Sequence, residues 1–561
     1  MGFRLPAAVQ RNSMRRVAVE GRDCVIASPT GSGKSLAYLV PLLSLLSDEL
    51  LGPPPRPRRG ARRPAPVRSA RWERLSGGGA ADADATRYFS QFATPRAGES
   101  PEAADTRPTL PTPLAVICVP ARELGVQVAL LAFQLLGGQR NNPAILPERI
   151  PSGFEPGSRT NMFSYKGPRK VKVAGVWDDK GLNASMPVED FGLDILQGVH
   201  IVVGTPQYLG ALAERGHLAL DNARVVVVDE ADACMLSQAE GGAEGAAEGL
   251  PPFLRAVSGR VTRDGKPRVR VFAGASLLPG QMQAALAAGW LTEPCVIGQS
   301  TDVQVSDAGG FEGLAGQIVP PALTHQFLQC EPTRALGLLA RLLRSEVERF
   351  RAEGGDEPRI IIYAEDSETA VRIATPLQNS IWTGLGGQVD AGLWGMSVLL
   401  PSAEDAQSFV DEDGNVTSSM LAYESSLRVM EMFTFNQINV LVTTPLATRG
   451  LDFPSVTHVF NLGLVGSAAD YLHRAGRVGR LGQAEAGKII SLLDEAGVQG
   501  LQRLGSQLQF TPEAISEADL LDSFLATEAS DADSKVRYLE DVFQLYDAEG
   551  GEDGALQEPS A

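Results

Sequence analysis

Cys24-Val25-Ile26-Ala27-Ser28-Pro29-Thr30-Gly31-Ser32-Gly33-Lys34-Ser35 is the stretch that decides the fold class. Cys24 to Ala27 make a short apolar run, as in a strand buried on both faces. A glycine-rich turn follows, and a helical pattern starts at Lys34. Glycine lets the backbone wrap a phosphate without Cβ clashes. The turn's amides and the helix N-terminus then supply an anion site. In that role Thr30, Gly31, Ser32 and Gly33 cradle phosphate and Lys34 reaches the β- and γ-phosphates. Ser35 offers its hydroxyl oxygen to Mg²⁺. The strict pattern wants glycine where Ser28 stands; the strand–turn–helix context carries the reading.

Working outward, apolar runs of strand length recur at 114–120 (LAVICVP), 200–206 (HIVVGTP), 223–232 (ARVVVVDEAD) and 269–276 (VRVFAGAS). Each ends in small, polar or acidic residues, which argues for a parallel sheet covered by helices. Ligands in such sheets bind beyond the carboxyl ends of the strands, where these motifs fall. A second series holds 324–330 (THQFLQC), a helical 335–350, then 359–365 (RIIIYAE), 438–444 (INVLVTT) and 456–463 (VTHVFNLG). The expected architecture is two α/β domains with parallel sheets flanked by helices, over 1–318 and 319–500, with a linker near 315–322. Low-complexity inserts are expected at about 51–112, 139–192 and 380–420. An acidic, partly disordered tail is expected over 501–561.

Length and charge agree with this division. A chain of 561 residues exceeds one ordinary core. The formal net charge of −17 excludes a uniformly basic nucleic-acid binder. From Thr511 onward, fourteen acidic residues face two basic ones, so most of that excess sits in the tail. Between Pro53 and Arg74, eight arginines face only Glu73; a solvated loop and a nucleic-acid-contacting arm both fit. The five cysteines form no CxxC pair, which argues against a zinc site or disulfide scaffold. Cys24, Cys118 and Cys234 read as buried structural thiols. No run approaches about 18 consecutive apolar residues, so no membrane span is expected.

Two further constellations carry chemistry. Asp229 and Glu230 follow four valines, and carboxylates at a buried strand end need a compensating partner. Mg²⁺ would serve Asp229, and Glu230 could polarise an attacking water. His473-Arg474-Ala475-Gly476-Arg477-Val478-Gly479-Arg480 places three arginines at i, i+3 and i+6. Such a set can stabilise charge on a transferring γ-phosphate.

Taken together, these residues resemble the DEAD-box RNA helicases of helicase superfamily two. Asp229-Glu230-Ala231-Asp232 spells the name motif, and His473 to Arg480 fits HRxGRxGR. The resemblance implies two RecA-like domains and an ATP-dependent RNA helicase or remodeler using ATP and Mg²⁺. Its implied partners are RNA, held mainly by its backbone, and possible protein cofactors, around a monomeric intracellular core. Gln10, at the end of a Q-motif-like stretch, would read adenine. Arg122, in a PTREL-like segment, Gly138, Thr205 and Thr444 would hold RNA. Asp452 would touch ribose or the closed domain interface, and Arg477 and Arg480 the γ-phosphate. Asp232, Gly274, Ser276, His473 and Arg474 would couple hydrolysis to RNA.

The departures are as informative as the matches. The upstream helix and stacking aromatic of the Q motif have no counterpart here, which implies a truncated Q-motif region and weak nucleotide affinity. Gln207 and Tyr208 stand for Gly-Arg in TPGR, Gly274 for Ser in SAT, and Pro445 for the Asp after Thr444. These losses fall on RNA coupling and leave the phosphate chemistry intact. They keep two alternatives open, an RNA-stimulated ATPase clamp without productive unwinding and a nucleotide-binding scaffold.

Overall fold

Four consecutive valines, Val225–Val228, are all buried, because their strand is covered on both faces. They occupy the middle of a sheet in a computed structural model. It describes residues 6–28, 31–51, 112–136, 171, 173–176, 199–214, 218–235, 246–298, 302–304, 311, 319, 323–352, 358–382, 395–400, 426–445, 447–448, 450–451, 453, 455–463, 466–478 and 487–516. The chain divides into two compact units, Met1–Ser28 with Ser32–Gly316, and Pro29–Gly31 with Gln317–Ala561.

The first unit's strands are β1 (Cys24–Ala27), β2 (Ala115–Cys118), β3 (Val173–Val176), β4 (Ile201–Gly204), β5 (Val225–Val228), β6 (Val269–Gly274), β7 (Cys295–Ile297) and β8 (Asp302–Gln304). Their spatial order is β3-β4-β2-β5-β6-β1-β7-β8. Every neighbouring pair is parallel except β7–β8. The antiparallel edge adds to the all-parallel expectation, and mixed sheets of this kind are common. β3 lies inside the stretch read as an insert at 139–192. The strand from Val173 to Val176 pairs with β4 and completes that edge of the sheet.

The second unit's sheet has the order β11-β12-β10-β13-β14-β9-β15 and is parallel throughout. Its strands are β9 (Thr324–Gln329), β10 (Ile360–Tyr363), β11 (Met396–Leu399), β12 (Val440–Thr443), β13 (His458–Leu462), β14 (Lys488–Leu493) and β15 (Glu513–Ala514). β11 falls within the irregular stretch 380–420. β15 and the helix Glu495–Leu508 carry ordered structure past residue 500 into the stretch read as tail. Otherwise the three inserts and the tail lie outside the described residues, as does most of the linker near 315–322. Among the described residues no helix is long and apolar enough to cross a membrane.

Buried arginines staple the amino ends of the first sheet. Asp23, just before β1, takes Arg270 Nη1 at 3.0 Å, the Arg270 amide at 2.8 Å and the Thr292 amide at 2.8 Å. Arg268 donates to the carbonyls of Ala223, Leu220 and Asp221. Helices Pro206–Glu214 and Ala246–Ala256 meet backbone to backbone through two glycines. A Cβ on Gly210 would lie 2.3 Å from the Gly249 carbonyl oxygen. Cys24, Cys118, Cys234 and Cys295 are buried free thiols. Cys24 and Cys295 face each other in register on β1 and β7, their sulfurs 2.8 Å apart.

Candidate active site

The first unit gathers its polar residues at the carboxyl ends of β1, β5 and β6. Beyond β1 the chain turns through Gly31 and Gly33, both at positive φ (79° and 86°), and Gly33 caps the helix Lys34–Leu45. Lys34 is buried, and its Nζ donates to the Ser28 carbonyl at 2.9 Å. The Ser28 and Ser32 hydroxyl oxygens are buried without a partner among the described residues, so the turn holds two polar groups open to a ligand oxygen. Gln10 leans on this turn. Its Nε2 donates to the Gly33 carbonyl at 3.3 Å and its Oε1 accepts the Ala7 amide at 3.0 Å. A Cβ at position 33 would meet Gln10 Nε2 at 2.4 Å, so only glycine lets this amide close on the turn. Thr30 lies outside the described residues.

At the end of β5, Asp229 is 2% exposed. Its Oδ2 accepts the Tyr38 hydroxyl at 2.7 Å and its Oδ1 the Glu230 amide at 3.0 Å. Burial, and then the negative charge of Glu230, push the Asp229 carboxyl up to about 7; Tyr38 and Lys34 pull the other way. Burial and the neighbouring Asp229 push the Tyr38 phenol well above its ordinary range, while a hydrogen bond from Ser35 opposes them. Glu230 sits in the left-handed region at φ 44°, uncommon for a residue with a side chain. It is 4% exposed, and its Oε2 has no partner among the described residues.

A divalent cation fits this donor set. Asp229 and Glu230 are adjacent carboxylates, both buried, and a cation would relieve the cost of holding their charge away from water. Asp229 and Ser35 would hold it, and when bound it would neutralise charge on the nucleotide phosphates.

β6 delivers the third part. Asp232 accepts both the Ser276 amide, at 3.1 Å, and the Ser276 hydroxyl. The hydroxyl lost at Gly274 is not simply missing. The Leu277 side chain occupies the space, with Cδ2 2.7 Å from where a Cβ at 274 would stand. Of the residues assigned to RNA, Arg122 opens the helix Arg122–Leu135 and pairs with the buried Glu123 at 3.2 Å. Thr205 is buried, its hydroxyl unpartnered among the described residues. Gly138 lies outside the described residues. Tyr208 is buried in the helix Pro206–Glu214.

In the second unit, a capping box between Ser467 and Asp470 starts the helix Ala468–Ala475. Arg477 follows it, 1% exposed. Its Nε donates to the His473 carbonyl at 3.1 Å, its Nη1 to the Leu451 carbonyl, and its Nη2 has no partner among the described residues. The guanidinium is thus held by two carbonyls and keeps donor capacity in reserve. Arg474 is equally buried, 5.9 Å from the Tyr471 ring. His473 is buried on the same helix. Thr444 Oγ1 accepts the Ala447 amide at 3.4 Å, which commits it to a turn after β12. Asp452 and Arg480 lie outside the described residues.

Sequence reasoning missed Tyr38, Leu277 and the backbone of Glu230. A tyrosine on an apolar helix reads as core, although its i+3 spacing from Ser35 puts the two on one face. No sequence signal marks the left-handed φ of Glu230.

The DEAD/DEAH box helicase model matches residues 7–142, and the helicase conserved C-terminal domain model matches residues 413–482. DEAD-box ATP-dependent RNA helicase 58, chloroplastic, of Arabidopsis thaliana is 25% identical over 519 residues, 91% of this chain and 79% of that protein. ATP-dependent RNA helicase RhlB of Pectobacterium atrosepticum is 44% identical over 84 residues, which spans 14% of this chain and 20% of its own length. Among solved structures, DEAD-box helicase Mss116 bound to ssRNA and UDP-BeF aligns with a TM-score of 0.57 at 14% identity, over 97% of this chain and 84% of that one. S. cerevisiae Dbp5 bound to RNA and ADP BeF3 aligns with a TM-score of 0.52 at 15% identity, over 96% and 94%. At these identities the structural likeness speaks for the fold, two RecA-like domains. The two family models fall one in each unit, and across both units the chain is similar to DEAD-box helicases.

Proposed function

We propose that the protein is an RNA-dependent ATPase that hydrolyses ATP to ADP and phosphate and separates short RNA duplexes. The observation that carries this reading is Glu230, a buried carboxylate with one oxygen unpartnered among the described residues, set beside Asp229 and the phosphate turn. A base so placed can take a proton from water as it attacks the γ-phosphate. Lys34, the Ser28–Ser35 turn and the helix N-terminus bind phosphate, and Gln10 reads the adenine edge. Asp229 and Ser35 hold Mg²⁺. Arg477 and Arg480 stabilise charge on the transferring group once RNA has drawn the two units onto one strand. Arg122, Gly138, Thr205 and Thr444 contact the RNA backbone, so binding is broad in sequence and weakens with salt. Asp452 serves ribose or the closed interface, and Asp232, Gly274, Ser276, His473 and Arg474 couple hydrolysis to RNA.

The intact Asp232–Ser276 link favours coupled hydrolysis over a static scaffold. The test separates binding from chemistry. Lys34→Ala removes most nucleotide affinity, because Lys34 meets phosphate in the ground state. Glu230→Gln spares binding and stops turnover, because Glu230 acts only on water. Equal loss of ATP binding in both variants would break the assignment.

A further inference from the structure

We propose that Tyr38 is a positioning residue for the metal–nucleotide site, its hydroxyl fixing the Asp229 carboxylate beside the helix that carries Ser35. The inference rests on the reading that Asp229 and Ser35 hold the cation. Tyr38 lies three residues after Ser35 in the helix Lys34–Leu45, so both project from one face. Its side chain is wholly buried. Packing alone would be served by phenylalanine, and a buried hydroxyl adds a desolvation cost unless it finds a partner. Here it finds one: it donates to Asp229 Oδ2 at 2.7 Å.

The geometry explains what the brace does. Tyr38 belongs to the helix after β1 and Asp229 to the end of β5; β6 lies between those strands in the sheet. No strand pairing joins the two residues directly. An aspartate can rotate about both of its side-chain bonds. With Oδ1 on the Glu230 amide and Oδ2 on Tyr38, its carboxylate plane is fixed. Each oxygen retains a further lone-pair direction for a cation or a cation-bound water. Tyr38 thus sets the orientation of the Asp229 carboxylate before any ligand arrives. Partners behind a metal ligand typically change metal affinity by about 10–100-fold when removed. One hydroxyl with a second anchor left on Asp229 belongs at the low end of that range.

The experiment compares the full chain with Tyr38→Phe, which keeps the ring and deletes one oxygen. A fluorescent ADP analogue is titrated first in EDTA and then at fixed concentration with rising Mg²⁺. Thermal unfolding of both proteins without ligand monitors the fold. The expected result is nucleotide affinity in EDTA within about twofold of wild type and a Mg²⁺ half-saturation raised about tenfold. A purely structural hydroxyl would lower the melting temperature and leave the Mg²⁺ dependence where it was, which would overturn the inference. If Tyr38→Phe proves too unstable to assay, the wild type is labelled with 3-fluorotyrosine and its nine tyrosines followed by ¹⁹F NMR. A buried resonance that shifts on adding Mg²⁺ to the ADP complex supports the brace; no shift in any buried resonance refutes it. Wild-type protein whose nucleotide affinity ignores Mg²⁺ would instead defeat the underlying metal assignment, so the two failures are distinguishable.

Discussion

Lowering the pH should loosen the second unit through a single imidazole. His325 on β9 is 4% exposed, with Nδ1 2.7 Å from the Tyr471 hydroxyl and its ring stacked 4.0 Å from Phe510. Neither neighbour offers a charge to offset protonation. Burial accordingly lowers the imidazole from 6.5 to about 4. The folded value is depressed, so the unfolded chain binds the proton more readily. The stabilisation is present above pH 6.5 and is lost as pH falls toward 4. At about 1.4 kcal/mol per unit, the shift amounts to about 3 kcal/mol. His325→Gln removes the titration, and its stability should vary less across that window than wild type's. Amide-exchange protection of Thr324–Gln329 and Lys488–Leu493 reports the second unit, with Val225–Val228 as a reference in the first. The chain has only five histidines, so an NMR titration can assign the resonance by loss in the variant. An imidazole titrating near 6.5, or identical pH slopes for the two proteins, would refute the reasoning.

Other perturbations test the packing around the site. Gly210→Ala drives a methyl against the Gly249 carbonyl oxygen, backbone that cannot swing aside; overpacking of this kind costs about 1–3 kcal/mol, read by urea unfolding. Gly274→Ser should also destabilise, because its Cβ meets Leu277; adding Leu277→Ala should restore the melting temperature, and no recovery would show that Leu277 is not the obstacle. Deleting 511–561 removes fourteen acidic residues and should strengthen RNA binding more at low salt than at high salt, measured by fluorescence anisotropy. It also removes β15 (Glu513–Ala514), so a deletion from 517 is the necessary control.

The fold was legible where burial wrote it into side chains. Val225–Val228 and Ile360–Tyr363 lie in the interior of their sheets, so consecutive apolar residues betray them. Val173–Val176 and Met396–Leu399 are edge strands of four residues inside glycine- and serine-rich stretches, too short to stand out by periodicity. Glu513–Ala514 pairs through its backbone while its side chains stay exposed, so composition suggested only tail. At the site, Lys34, Asp229 and Glu230 were readable because phosphate and metal chemistry restrict residue type and spacing. Tyr38 was not, because its polar role depends on Asp229, 191 residues away in sequence. The same limit hid the Cys24–Cys295 contact, set by strand order across 271 residues.

The central claim, that ATP turnover at Glu230 is coupled to RNA, is tested most directly in one reaction. ATP hydrolysis and release of a short RNA duplex are followed together, with and without RNA, for the full chain and for Glu230→Gln. The expected result is turnover raised by RNA, duplex release that requires ATP, and ATP binding without turnover in the variant. Stimulated turnover with no release would establish the clamp in place of the helicase. ATP binding with no turnover in the wild-type protein, whether or not RNA is present, would contradict the account.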